Sequence, residues 1–185
     1  MCKKDFSKVQ SSTVIVGLLM AGSLSMTASD VPAQNGDAQK RIEREVRHEL
    51  VMLPYYGIFD NLAYRVYGTK VTLLGQVARP SLKSEAGRVV KNIEGVETVN
   101  NEIEVLPVSP GDDRIRLSEY RIIYSQATLK RYALQAVPPI HIIVKGGHVT
   151  LEGAVANESD KTVAALMANG VHGVLSLTNN LRVEE

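Results

Sequence analysis

Between Arg114 and Tyr132 five basic residues, Arg114, Arg116, Arg121, Lys130 and Arg131, face a single acidic one, Glu119, and Tyr120, Tyr124 and Tyr132 are interleaved with them. Cations and amphipathic aromatics on one helix suit an anionic head-group surface, where each Lys or Arg is worth about 1 kcal/mol. The competing reading packs Tyr120, Ile123 and Tyr124 into a core and leaves the arginines merely solvated. A small domain needs core, which favours the packing reading. A second stretch, Leu53 to Phe59, concentrates Tyr55, Tyr56 and Phe59. It reads either as a loop docking a protein partner or, more commonly, as a connector that folds over a sheet edge to extend the core.

Other reactive residue types are present without the spacing that chemistry requires. His48, His141, His148 and His172 share no metal-ligand spacing, so no metal is expected. Gly146-Gly147 joins two apparent strands, whereas a phosphate-binding loop leads into a helix. Glu43, Glu45 and Glu49 alternate with Arg41, Arg44 and Arg47, a pattern that marks a solvated ion-pair face. Nothing resembles a catalytic constellation, and neither catalytic residues nor a cofactor are expected.

The elements that would position these residues occur twice. Val71-Thr72-Leu73-Leu74-Gly75-Gln76-Val77-Ala78 returns 78 residues later as Val149-Thr150-Leu151-Glu152-Gly153-Ala154-Val155-Ala156, and 15 of the 40 positions in 66–105 are identical in 144–183. That period exceeds the roughly 20–50 residues of a solenoid unit, so each copy is a small globular domain. The matching positions are mainly turn glycines and core residues, which places function where the copies differ. Their first helices differ most.

Ahead of the copies, Lys3, Lys4 and Lys8, the apolar run Thr13 to Gly22 and Val31-Pro32-Ala33 read as a secretory signal over 1–33, with the run too short for a membrane span. The alternative is an uncleaved anchor. Cys2 precedes the apolar run, so a lipoprotein-type acylation is not expected, and the exported chain would hold no thiol. Three of the 21 basic and two of the 20 acidic residues fall before residue 34, which leaves 18 of each. Such neutrality argues against nucleic acid as a partner.

Residues 34–39 read as a flexible tether. The first copy, 40–106, then shows Ile42, Val46, Leu50 and Leu53 at helical spacing, a hairpin over 62–77 turning at Gly68-Thr69, a helix from Pro80 to about Asn92, and a strand from about Thr98 to Val105. Gly75 and Gly153 inside strands predict a bulge or a close backbone approach, and Gly95 and Gly173 sit where a helix end favours glycine. A linker at 107–111 leads to the second copy, 112–185, whose first helix spans about 113–136 with a break near Ser125–Ala127. Asn157 with Asp160 is expected to cap its second helix. The class is α+β: two tandem α-β-β-α-β domains.

The strand glycines Gly75 and Gly153, the pairs Gly95-Val96 and Gly173-Val174, and the closing Asn-x-apolar-x-Val strands at Asn101–Val105 and Asn179–Val183 together resemble the BON domain, in tandem as in dual-BON envelope proteins. The resemblance covers about 40–106 and 112–184. It implies a three-stranded mixed sheet covered by two helices in each copy, no catalysis, residence in the periplasm or at the outer membrane, and a role in envelope integrity or osmotic stress. Anionic phospholipid is the leading ligand it implies. An envelope protein or peptidoglycan is the alternative partner.

Overall fold

The computed structural model describes residues 32–135 and 137–184. The expected leader over 1–33, Cys2 included, lies outside them except for Pro32 and Ala33, which open the first helix. In the first copy α1 (Pro32–Val51), β1 (Asn61–Tyr67), β2 (Lys70–Val77), α2 (Pro80–Lys91), β3 (Thr98–Asn101) and β4 (Glu104–Val105) follow in order. The second has α3 (Pro110–Ser125), a 3-10 turn (Lys130–Leu134), β5 (Ile140–Lys145), β6 (His148–Val155), α4 (Glu158–Asn169), β7 (Ser176–Asn179) and β8 (Arg182–Val183). In each copy the central strand pairs antiparallel with the first and parallel with the last, which is split in two. The mixed three-position sheet is therefore present twice.

The split has one cause in both copies. Asn101 donates Nδ2 to the Lys83 carbonyl and accepts the Ile103 amide, while Asn179 does the same with Lys161 and Leu181. Each asparagine thus ties the edge strand to a helix and bridges the interruption. The expected single strand over 98–105 becomes two short pieces for this reason, and the Asn-x-apolar-x-Val pattern is its signature.

Each helix pair lays an apolar face on its sheet. Ile42, Val46, Leu50 and Leu53 are buried with Val71, Leu73, Val77, Leu82, Ala86 and Val90 in the first core. Ile115, Ile123, Ile142, Leu151, Val155, Ala164 and Leu181 belong to the second. At about 1.5–3 kcal/mol for each fully buried aliphatic side chain, these faces are what fix the helices on the sheets.

Two helices begin earlier than expected. Residues 34–39 form the opening turns of α1 and not a tether: Gln39 donates to the Val66 carbonyl and lies beside Glu43 on the helix, so the chain is already docked there. Pro110 and Gly111, expected in the linker, open α3, because Ser109 accepts the Asp112 amide as N-cap and Pro110 supplies a favourable first residue. The predicted break is real. Helix α3 stops at Ser125 and the 3-10 turn follows. Asn157 caps α4 through the Asp160 amide as expected.

Gly75 and Gly153 have φ of +109° and +115°, and a Cβ there would lie 2.0 Å from the Asn61 carbonyl oxygen and 1.9 Å from that of Pro139. Only glycine admits this approach. Gly75→Ala and Gly153→Ala are each expected to destabilise the chain by about 1–3 kcal/mol, the cost of a strained backbone position, read as a lower urea midpoint. An unchanged midpoint would contradict the close approach.

Candidate functional site

Helix α3 occupies the place of α1 in a different register. Gln39 accepts the Gly68 amide and Asp112 accepts those of Gly146 and Gly147; Ile42 lies against Gly95 as Ile115 lies against Gly173. The sheets are related by 78 residues but the first helices by 73, so Asp112 replaces Gln39, Glu119 replaces Val46, and Ile123 replaces Leu50. The five extra residues before β5 accommodate the 3-10 turn. Burial alone would raise the Asp112 carboxyl, but the two glycine amides and the Arg116 charge hold it below its usual range.

This register divides the basic, tyrosine-rich set. Arg116 is buried, reaching the Asp113 carboxylate and the Val144 carbonyl at 2.7 Å. Tyr124 is buried too and donates to the Ile140 carbonyl at 2.9 Å, its phenol pushed up by burial and then by Tyr120. Arg131 pairs with Asp160 and lies over the Tyr132 ring, while the Tyr132 hydroxyl donates to Asp160 and accepts the Ala156 amide. These three basic or aromatic groups, with Tyr132, are parts of the second repeat's own scaffold.

The remainder face solvent. Arg114, Leu117, Tyr120 and Arg121 share one side of α3 at helical spacing, with Leu117 48% and Tyr120 40% exposed, and Lys130 is exposed just beyond the helix. Among the described residues Arg114 bonds only the Pro110 carbonyl, in its own first turn. Leu117 was not singled out from sequence, although its position three residues after Arg114 and four before Arg121 is the signal that finds it. The result is a small apolar stripe flanked by free cations.

The segment from Leu53 to Phe59 joins the repeats. Tyr56 stacks on His141 of β5 with ring centroids 5.6 Å apart and planes 19° from parallel. The Ile58 carbonyl accepts the Ile142 amide at 2.8 Å, and Ile58 and Phe59 pack against the core of the second repeat. Asp60 closes the turn by accepting the Ala78 and Gly57 amides at 2.7 and 3.2 Å; burial raises its carboxyl, opposed by those bonds and by Arg79 and Arg116. Lys145 pairs with Glu104 nearby. Tyr56 and Phe59 are thus engaged within the chain, the connector reading, whereas Tyr55 is 75% exposed with the Arg79 guanidinium 5.1 Å from its ring.

In the sequence Glu119 stands as the lone acid facing five basic residues between Arg114 and Tyr132. It is fully enclosed, neither carboxyl oxygen has a hydrogen-bond partner among the described residues, and burial pushes its pKa up to about 8. Among the described residues no three of His, Cys, Asp or Glu gather as a metal-ligand set, and no helix is long and apolar enough to cross a membrane.

The duplicated unit, with its asparagine-split edge strand and glycine approach, matches the model of the BON domain at residues 38–107 and 125–185. The chain belongs to the BON domain family. The match to the second BON repeat starts at residue 125, where α3 ends, so nearly all of α3 lies outside the matched segments. Among curated proteins the chain is similar to the osmotically-inducible protein Y of Escherichia coli, 30% identical over 62% of this chain and 57% of that protein. It is also similar to the outer membrane lipoprotein DolP of Haemophilus influenzae, 32% identical over 58% of this chain and 55% of that one. The aligned part therefore spans somewhat over half the length of either relative. Two solved structures of CdsD, a structural protein of the type III secretion system of Chlamydia trachomatis, align over 77% and 78% of this chain and 96% and 94% of theirs, at 10% and 12% identity. Their TM-scores of 0.27 and 0.28 are too low to bear on the fold.

The buried glutamate carries a prediction. A carboxyl whose folded pKa is raised contributes stability that is fully present below its unfolded value of 4.5 and is lost as pH rises through about 8. The stability of the wild-type chain should therefore fall relative to Glu119→Gln as pH is raised from about 5 to 8. Glu119→Val, which copies the first repeat, should stabilise by about 1–3 kcal/mol at neutral pH by removing an unpaired buried polar group. Urea melts across pH check both, and a wild-type–Gln difference independent of pH would contradict the enclosure of Glu119.

Proposed function

We propose that this BON protein is a non-enzymatic component of a bacterial cell envelope that rests on anionic phospholipid through the exposed side of α3. In this role it supports envelope integrity or tolerance of osmotic stress. The names of its two relatives, one osmotically inducible and one an outer membrane lipoprotein, favour that compartment and role. A binding rather than catalytic protein is consistent with its displaced titratable groups, since Asp60, Glu119, Tyr124 and His141 are enclosed by packing.

One observation carries the lipid reading: Arg114 and Arg121 flank exposed Leu117 and Tyr120 on the helix that lies almost wholly outside the matched segments. Three free cations, Arg114, Arg121 and Lys130, at about 1 kcal/mol each, with partial insertion of Leu117 and Tyr120, give reversible and salt-sensitive association. The buried Arg116 and the scaffold-bound Arg131 contribute to the shape of that surface and not to its free charge.

Flotation of the purified chain with vesicles tests the reading. Binding is expected to vesicles containing phosphatidylglycerol at low salt, to weaken at high salt, and to be lost in Arg114→Glu/Arg121→Glu, with Leu117→Ala weakening it partially. No flotation with anionic vesicles, or flotation unaffected by the double reversal, would overturn it. Binding that survives the reversal but falls on Tyr55→Ala would move the contact to the first repeat.

A further inference from the structure

The two sheets differ on the face turned away from their helices. In the first, Ala63, Arg65 and Tyr67 of β1 are exposed; in the second, the corresponding His141 and Ile143 of β5 are buried. His141 is covered by the first repeat's own turn, with Tyr56 on the imidazole and the Ile58 carbonyl on the Ile142 amide at the outer edge of β5. A titratable ring thus sits at the centre of the contact between the repeats, 8% exposed, with Nδ1 lacking a hydrogen-bond partner.

The groups around His141 do not prepare it for charge. From the turn, Tyr56 and Asp60 approach, but Tyr56 is a neutral phenol and the Asp60 carboxylate is committed to the Ala78 and Gly57 amides. From β6, Glu152 is the cross-strand neighbour in register, and its carboxylate accepts Asn180. Arg116 of α3 and Arg79 after β2 add positive charge on the Asp60 side, and at the end of β5 Lys145 is already paired with Glu104. No carboxylate forms an ion pair with the imidazole among the described residues. Burial accordingly holds His141 below its usual range, and the Gly57 and Asp60 backbones only partly oppose this.

We propose that His141 makes the contact between the two BON repeats a proton-released latch, whose protonation parts the Tyr56 stack and frees the Tyr56–Asp60 turn from β5. An imidazolium gains some attraction from the π face of a tyrosine ring, but enclosing an unpaired ion costs more than that, so the charged form favours the parted state. The sign follows from the lowered pKa. The parted state binds the proton more readily, so the latch is intact at neutral pH and weakens as pH falls from the ordinary 6.5 toward the lower value of the closed form. Asp60, whose carboxyl is raised by burial, titrates with the opposite sign: its protonation as pH falls favours the closed form, so a contact weakened by acid points to the histidine. Opening uncovers Ile58, Phe59 and His141 together with the outer edge of β5. This inference does not depend on the lipid reading.

Amide exchange of the purified chain, followed residue by residue by NMR and corrected for the intrinsic pH dependence of exchange, tests it. Between pH 7 and 5 the Ile142 amide should lose protection by about tenfold for each unit of displacement of the imidazole pKa, while the amides of β6 keep theirs. His141→Phe preserves an aromatic stack without a proton site and should hold Ile142 protection constant over the same range. Ile142 protection that does not change with pH in the wild type, that falls equally in His141→Phe, or that falls together with β6 as in general unfolding, would each overturn the latch.

Discussion

The hydrogen bond from the Ile142 amide to the Ile58 carbonyl, with Ile58 and Phe59 set against the second core, is the contact on which the arrangement of this chain turns. A repeat of about 70 residues is close to the lower limit for folding on its own core. The first BON repeat lends a turn to the second, and in doing so covers an edge strand and a sheet face that would otherwise be open. Edge strands left bare invite pairing with other chains, so the same contact also protects β5. Arg116 and Tyr124 complete that protection by occupying the Val144 and Ile140 carbonyls. The helix proposed to meet lipid is therefore anchored by the residues that close the edge, and only its far side is free for a partner.

Comparison of the two copies separates what the fold requires from what each repeat adds. Both need a glycine beneath the first strand, an asparagine at the split edge, and a partner for the amide after the central strand. The last requirement is met differently: Asp60 accepts from Ala78, whereas the Tyr132 hydroxyl accepts from Ala156 and hands its own proton to Asp160. The first solution ties the amide to the turn that reaches the second repeat. The second ties it to the 3-10 turn supplied by the five-residue extension, with Arg131 closing the network. One duplicated amide thus serves the inter-repeat contact in one copy and an internal staple in the other.

Much of this was legible because the physics is local. Period-two and helical spacing predict the hairpins and the apolar faces, and Gly75 and Gly153 announce a close approach because nothing else fits. The register of α3 was not legible, because the 78-residue identity holds only from β1 onward, and a five-residue offset places Glu119 where a valine stood without any change in helical pattern. The division of the basic set was hidden for the same reason: Arg116 and Arg121 look alike in sequence, and only the position of β5 distinguishes an edge-capping arginine from a free one. Tyr56 and Phe59 carried the right information, that this stretch makes contacts, but the partner surface was the other half of the same chain, and Tyr55 stays exposed.

The central claim is that the first repeat completes the second, and Phe59→Ala in the purified chain tests it most directly when amide exchange is read strand by strand. Loss of the ring should loosen the seat of the turn on the second repeat, so protection should fall at the outer edge of β5, at the Ile142 amide, while β2 of the first repeat is unchanged. Protection lost chiefly in β2, or unchanged at Ile142, would contradict it.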